Sequence, residues 1–118
     1  MTTQSIGFPA PALPQAEGGV IYLSKIKDNV QASVPQYSGV SAHDKIALTI
    51  DIDRTNVFLE EKTVSEPHPE KAFEFSIPKK VFEQILASGK EAEVYYVVRF
   101  PMEMRPVVSQ KALTTVKK

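Results

Sequence analysis

Two residue types, cysteine and tryptophan, are missing from this chain of 118 residues. It has no cysteine, which excludes disulfides, thiolate metal sites and cysteine nucleophiles. It has no tryptophan, which weakens the case for a carbohydrate-binding module, because such sites commonly use exposed aromatic platforms. Its five glycines are dispersed, and neither a phosphate-binding loop nor a Gly-x-Ser-x-Gly nucleophile elbow occurs. We therefore predict a protein that is not an enzyme and that binds no cofactor.

Net charge and long hydrophobic runs are absent as well. The chain balances 14 Lys+Arg against 14 Asp+Glu, so we expect neither a nucleic-acid partner nor a polybasic membrane attachment. No window reaches the ~18 apolar residues that would cross a bilayer. The N-terminus lacks the basic start and the apolar stretch of a Sec-type signal peptide. We expect a soluble protein made in the cytoplasm, with secretion or surface association by a signal-less route left open.

The chain does contain enough apolar material for one domain. Its hydrophobic content is 42%, and its length suits a single domain with its own core. Residues 1–16 include three prolines, and because proline fixes φ and donates no backbone hydrogen bond, this segment is predicted to be an extended arm. We assign residues 17–118 to the folded domain.

Residues 17–118 show short alternating segments separated by turn signals. The clearest strand pattern covers 45–53, in which Ile46, Leu48 and Ile50 share one face. Helical spacing of apolar residues occurs at 79–88, between a proline and a glycine. The last strand is predicted over 107–116. About seven strands at roughly ten-residue spacing, with one short helix, predict an antiparallel β-sandwich.

Short motifs follow one another in a set order between about residues 11 and 116. The first is a Pro-rich segment with Ala-Glu-Gly, and the second is Val-Pro-x-Tyr. An Asp before an alternating strand comes next. The last two are an Ile-Pro that opens the helix and a Val-x-Tyr-x-Val. These motifs lie at 13–19, 34–37, 43–48, 77–78 and 94–98. This order resembles bacterial immunoglobulin-like modules, which occur in tandem in large surface and adhesin-type proteins.

The resemblance implies an immunoglobulin-like fold and a non-enzymatic role as a binding or structural module of a bacterial surface, adhesion or secreted assembly. The chain departs from the pattern at His43, where the pattern has Gly, and in lacking a Trp that often ends the strand with Ile46 to Ile50. One alternative is a stand-alone secreted effector or toxin, for example an insecticidal one, that binds a receptor or oligomerises. A carbohydrate-binding module is a further alternative. The expected partner is a protein or cell-surface receptor, and self-association through exposed edge strands stays open.

Candidate binding residues lie on the strand over 91–100 and in the loop that follows it. The period of two places Tyr96 in the core, with its hydroxyl bonded to backbone at a sandwich edge, and directs Tyr95 outward. The loop contains two Met and an Arg, residue types suited to binding surfaces; the alternative is that Met side chains fold back over the core. The candidate binding residues are Tyr95, Val97, Arg99, Met102, Met104 and Arg105.

Two carboxylates form the one candidate metal site. Asp51 and Asp53, with polar residues just beyond them, offer the hard oxygen ligands that calcium prefers. The stretch lacks the glycine and glutamate spacing of an EF-hand, and the alternative is a solvated strand face that runs into a polar turn. His43 and His68 lack further ligands or orienting groups nearby, so we expect neither metal binding nor catalysis at these histidines.

Overall fold

The computed structural model describes residues 8–35, 42–64, 73–101 and 105–118. Within these ranges the chain forms eight β-strands, one α-helix and one short 3-10 helix. In chain order they are β1 (Val20–Tyr22), the 3-10 helix (Leu23–Lys25), β2 (Asn29–Val34), β3 (Lys45–Ile52), β4 (Thr55–Thr63), β5 (Phe73–Pro78), α1 (Lys79–Ser88), β6 (Ala92–Arg99), β7 (Val107–Val108) and β8 (Ala112–Lys117).

The strands form two sheets. The larger sheet has six strands in the order β1-β8-β6-β3-β4, with β7 also paired to β6. The smaller sheet consists of β2 and β5. Neighbours are antiparallel apart from β1 and β8, which run parallel. The buried side chains of both sheets belong to one apolar cluster, so the prediction of a β-sandwich is confirmed.

The inner faces of the strands follow the period of two. In β6, buried residues alternate with partly exposed ones, and the register sets Tyr96 beside Leu48 and Val94 beside Ile50 of β3. The largest fully buried side chains from the smaller sheet are Phe75, Ile77, Val30 and Val34. Burying a side chain of this size stabilises the fold by about 1.5–3 kcal/mol.

Helix α1 follows β5 and precedes β6 in the chain, and its predicted range is confirmed. Pro78 precedes the first turn, where a missing backbone N–H costs no helical hydrogen bond. Gly89 ends the helix in the left-handed region (φ 70°), and its N–H donates to the Leu86 carbonyl at 3.1 Å. Val81, Phe82 and Ile85 are buried. Among the described residues, no helix has the length and apolar composition to span a membrane.

The described part of the predicted arm lies on the sandwich. Ala12 and Ser33 exchange two backbone hydrogen bonds of 2.8 Å, and the Gln110 N–H donates to the Phe8 carbonyl at 3.0 Å. Phe8 and Leu13 pack against the buried cluster. Residues 8–16 are therefore attached by backbone pairing as well as by apolar contact.

The prediction of one continuous strand over 107–116 is wrong. Val108 faces Val97 in β7, and Ala112 faces Val94 in β8, so the three residues 109–111 lie opposite two residues of β6. The extra residue interrupts the ladder as a bulge does. Ser109 maintains the connection, because its Oγ accepts the Tyr96 N–H at 3.0 Å and its own N–H donates to the Tyr96 carbonyl at 2.9 Å.

Candidate protein-binding face

One side of the larger sheet points away from the core, and we call it the outer face. Alternate residues of β6 project there because those between them are buried. The outward direction predicted for Tyr95, Val97 and Arg99 is confirmed. The cross-strand pairs of β3 and β6 on the outer face are Lys45 with Arg99, Ala47 with Val97, Thr49 with Tyr95, and Asp51 with Glu93.

Large exposed apolar side chains gather on the outer face. Leu59, Val108 and Leu113 are 59%, 51% and 54% exposed, and they are the exposed large hydrophobic residues in the described part of the chain. The register places Leu59 opposite Thr49, Val108 opposite Val97, and Leu113 opposite Glu93. β4, β7 and β8 therefore each contribute an exposed apolar side chain to the same side of the larger sheet.

The central residues of the outer face in β3 are largely shielded from solvent. Ala47 and Thr49 are only 7% and 5% exposed, although the register directs them outward. The Thr49 hydroxyl donates to the Ala47 carbonyl at 3.3 Å, so its polar atom is turned to the backbone. The middle of the face thus presents little hydrogen-bonding capacity of its own, which favours apolar contact.

Tyr95 is held in place by polar contacts at one end of the outer face. Its hydroxyl donates to Asp51 Oδ2 at 2.7 Å, and Asn56 Nδ2 donates to Asp51 Oδ1 at 3.1 Å. The Lys111 ammonium lies 5.4 Å from the centre of the Tyr95 ring and 3.2 Å from Glu93 Oε1. Burial, together with the hydrogen bond to Asp51, raises the pKa of Tyr95 to about 12. The ring is therefore a neutral, oriented surface at physiological pH.

The remaining predicted binding residues lie at the end of β6 and in the segment that follows it. Arg99 and Arg105 are exposed. Met102 and Met104 fall outside the described residues. The binding role of all six residues stays a prediction, and the structure adds Leu59, Val108 and Leu113 to the same surface. Leu59, Val108 and Leu113 lie on this surface because of the strand register, and the local sequence does not show which strands pair or in which register.

The two carboxylates of the candidate calcium site already contact protein donors. Asp51 accepts hydrogen bonds from Tyr95 and Asn56. Asp53 Oδ2 lies 2.8 Å from Lys90 Nζ, and the hydrogen bond to this ammonium lowers the pKa of Asp53. Over the described ranges, no group of three or more His, Cys, Asp or Glu side chains is placed to hold a metal ion. Calcium commonly takes 6–8 oxygen ligands, so calcium at this position stays a prediction without further support.

The chain contains two histidines, His43 and His68. His43 is exposed and lies in a turn with φ 76°, where its backbone N–H donates to the Val64 carbonyl at 2.7 Å. His68 falls outside the described residues.

A shallow groove of about 520 Å³ lies between α1 and the turn that joins β3 to β4. Its polar rim is the Asp53–Lys90 pair, in which both side chains are more than half exposed. The lining residues are Ile52, Asp53, Thr55, Val57, Gln84, Ala87, Ser88 and Lys90. The groove has neither the enclosure nor the convergent buried polar groups of a small-molecule site.

Comparison with known proteins adds no relative. No family model, curated protein or solved structure matches this chain.

Proposed function

We propose that this protein is a non-enzymatic binding module that engages a protein partner through the outer face of its larger sheet. Large exposed apolar side chains that are concentrated on one face of a small domain commonly mark an interaction site. Leu59, Val108 and Leu113 could each have lain anywhere on the surface, yet the register directs all three to one side. This grouping around the oriented ring of Tyr95 is the observation that carries the proposal.

The immunoglobulin-like topology is part of the same proposal. In an immunoglobulin sandwich the second and fifth strands of the lettered order (B and E) share one sheet, and C, F and G form the other. Here β2 pairs with β5, and β3, β6 and β8 are neighbours in the larger sheet, which supports that order. The setting of a bacterial surface, adhesion or secreted assembly rests on the motif resemblance alone.

Site-directed photocrosslinking tests the binding role. A benzoylphenylalanine introduced at Val108 lies on the outer face, whereas one at Gln84 lies on the exposed side of α1. In extracts of cells that make the protein, we expect the first position, and not the second, to capture a defined protein chain. The captured protein is then purified and its affinity for the intact chain is measured by calorimetry.

Substitutions then connect that affinity with the outer face. Val97→Asp buries a charge at the contact and is expected to weaken binding at least tenfold, a change of about 1.4 kcal/mol or more. Ala87→Asp, on the exposed side of α1, introduces the same charge elsewhere and should leave the affinity unchanged. Equal capture from both positions, or equal affinity of the two variants, contradicts the proposal.

A further inference from the structure

The outer face has like charges opposite each other at both of its ends. Lys45 pairs with Arg99 at one end and Asp51 pairs with Glu93 at the other. Directly opposed like charges weaken a sheet. Within the described ranges, the ion pairs leave Lys45 and Arg99 without an acidic partner. Lys111 contacts Glu93 and offsets part of the acidic charge. The exposed Glu61, opposite Ala47 on the same face, offsets part of the basic charge. One end therefore keeps a net positive charge and the other a net negative charge.

The charged ends are symmetric about the middle of the outer face. The register pairs Leu48 with Tyr96, and positions 45 and 51, like 99 and 93, lie equally far on either side of that pair. Consider a second copy that is rotated by 180° about an axis parallel to the sheet, perpendicular to the strands and passing over the Leu48–Tyr96 pair. This rotation places the basic end of the second copy over the acidic end of the first. The same rotation places the centres of the two outer faces, at Ala47 and Thr49, against each other.

We infer that a second copy of this chain is the partner of the outer face, packed against it with the strands of the two copies antiparallel. The inference rests on the proposed function, because it specifies which protein that face binds. It is an isologous contact, in which Arg99 of each copy meets Glu93 of the other, so that this charge pair forms twice. Sheets packed face to face lie about 10 Å apart, a gap that Arg99 of one copy and Glu93 of the other can bridge from opposite sides.

The size of the outer face sets the expected strength of this dimer. Four strand positions at ~4.8 Å spacing and seven residues at ~3.4 Å each give a footprint of roughly 450 Å² per copy. A standard interface uses about 800 Å² per partner, so this contact belongs with weak, transient complexes. We expect a dissociation constant on the order of 10–100 μM. Part of the attraction is between charges, so the dimer should weaken as salt is raised from about 0.05 M to about 0.5 M.

Sedimentation velocity of the full chain, from about 5 μM to about 1 mM, tests this arrangement across its expected dissociation constant. Arg99→Glu places a carboxylate opposite Glu93 of the second copy, and Glu93→Lys places an ammonium opposite Arg99. Each variant alone should dimerise at least tenfold more weakly than the parent chain. An equimolar mixture of the two should associate again, because each altered charge then meets its opposite.

Matched controls carry the same charge changes away from the outer face. Lys80→Glu and Glu83→Lys lie on the exposed side of α1 and should dimerise like the parent chain. Circular dichroism and urea unfolding establish that each variant is folded. Dimerisation that survives in both face variants overturns the inference and points to pairing through the β4 edge. A mixture that fails to associate overturns the antiparallel arrangement.

A parent chain that stays monomeric at every concentration also overturns the second copy as partner. That outcome leaves the photocrosslinking result at Val108 standing, because a different protein can still occupy the outer face. Loss of both results removes the proposed function together with the inference.

Discussion

Two adjacent tyrosines of β6 differ in burial and in the hydrogen bonding of their hydroxyls. Tyr95 faces outward and its hydroxyl donates to Asp51. Tyr96 is completely buried, and its hydroxyl has no hydrogen-bond partner in the described structure. Alternation along the strand predicts the two directions correctly. The predicted bond from the Tyr96 hydroxyl to backbone is wrong within the described residues, because a partner depends on what packs at the end of the ring.

Removal of the unpartnered hydroxyl should stabilise the protein. An unsatisfied buried polar group costs about 1–3 kcal/mol, and phenylalanine retains the ring that packs beside Leu48. We expect Tyr96→Phe to raise the free energy of unfolding by about 1 kcal/mol. Urea unfolding followed by circular dichroism measures the change.

Tyr95→Phe is the matched control for this change. It removes a hydroxyl of the same type, but one that donates to Asp51, so it should lower the free energy of unfolding by about 1 kcal/mol. Opposite signs for the two variants are the expected result. Destabilisation by Tyr96→Phe would show that its hydroxyl is satisfied after all.

At the scale of elements, the turn between β3 and β4 contains a conformation that its sequence does not suit. Asp53 and Arg54 have φ values of 50° and 69°, as the two central residues of a type I′ hairpin turn require. Aspartate tolerates a positive φ, whereas the same conformation costs arginine about 1–2 kcal/mol. The usual Asp-Gly signal is absent, so the sequence did not identify this hairpin as it identified α1 from Pro78, Gly89 and helical spacing.

Arg54→Gly should relieve the unfavourable conformation of this turn. Glycine adopts positive φ freely, and after its larger loss of chain entropy the net gain in unfolding free energy should be about 0.5–1 kcal/mol. Arg54→Ala is the control, because it removes the same charge and side chain but keeps the Cβ atom that causes the strain. Thermal and urea unfolding compare the three proteins, and equal stability of the two variants would rule out backbone strain as the cause.

For the whole molecule, the two tyrosines on β6 are expected to make the free energy of unfolding fall as the pH rises in the alkaline range. Burial raises the pKa of both Tyr95 and Tyr96 to about 12, with the bond to Asp51 contributing at Tyr95. Below about pH 10 both groups are protonated in the folded and the unfolded chain, so the full stability is present. Between pH 10 and 12 the unfolded chain loses these protons first, and the free energy of unfolding should fall by up to about 1.4 kcal/mol per pH unit for each tyrosine.

Urea unfolding at several pH values between 8 and 11.5 measures this loss. The double variant Tyr95→Phe and Tyr96→Phe keeps every lysine of the parent chain, so the lysines titrate in both proteins. Its stability should decline less steeply above pH 10. Parallel curves for the two proteins would mean that neither phenol is protected from ionisation in the folded state.

The sequence by itself determined the strand pattern, the range of α1 and the two faces of β6, because periods of two and of 3.6 residues are properties of the local backbone. It did not determine the break at Ser109, where a side chain joins the ladder, or the gathering of Leu59, Val108 and Leu113 on the outer face. Those features were decided by the tertiary structure. Strand register joins residues far apart in the chain, and a shift of one residue would have turned each of these side chains to the opposite side of the sheet.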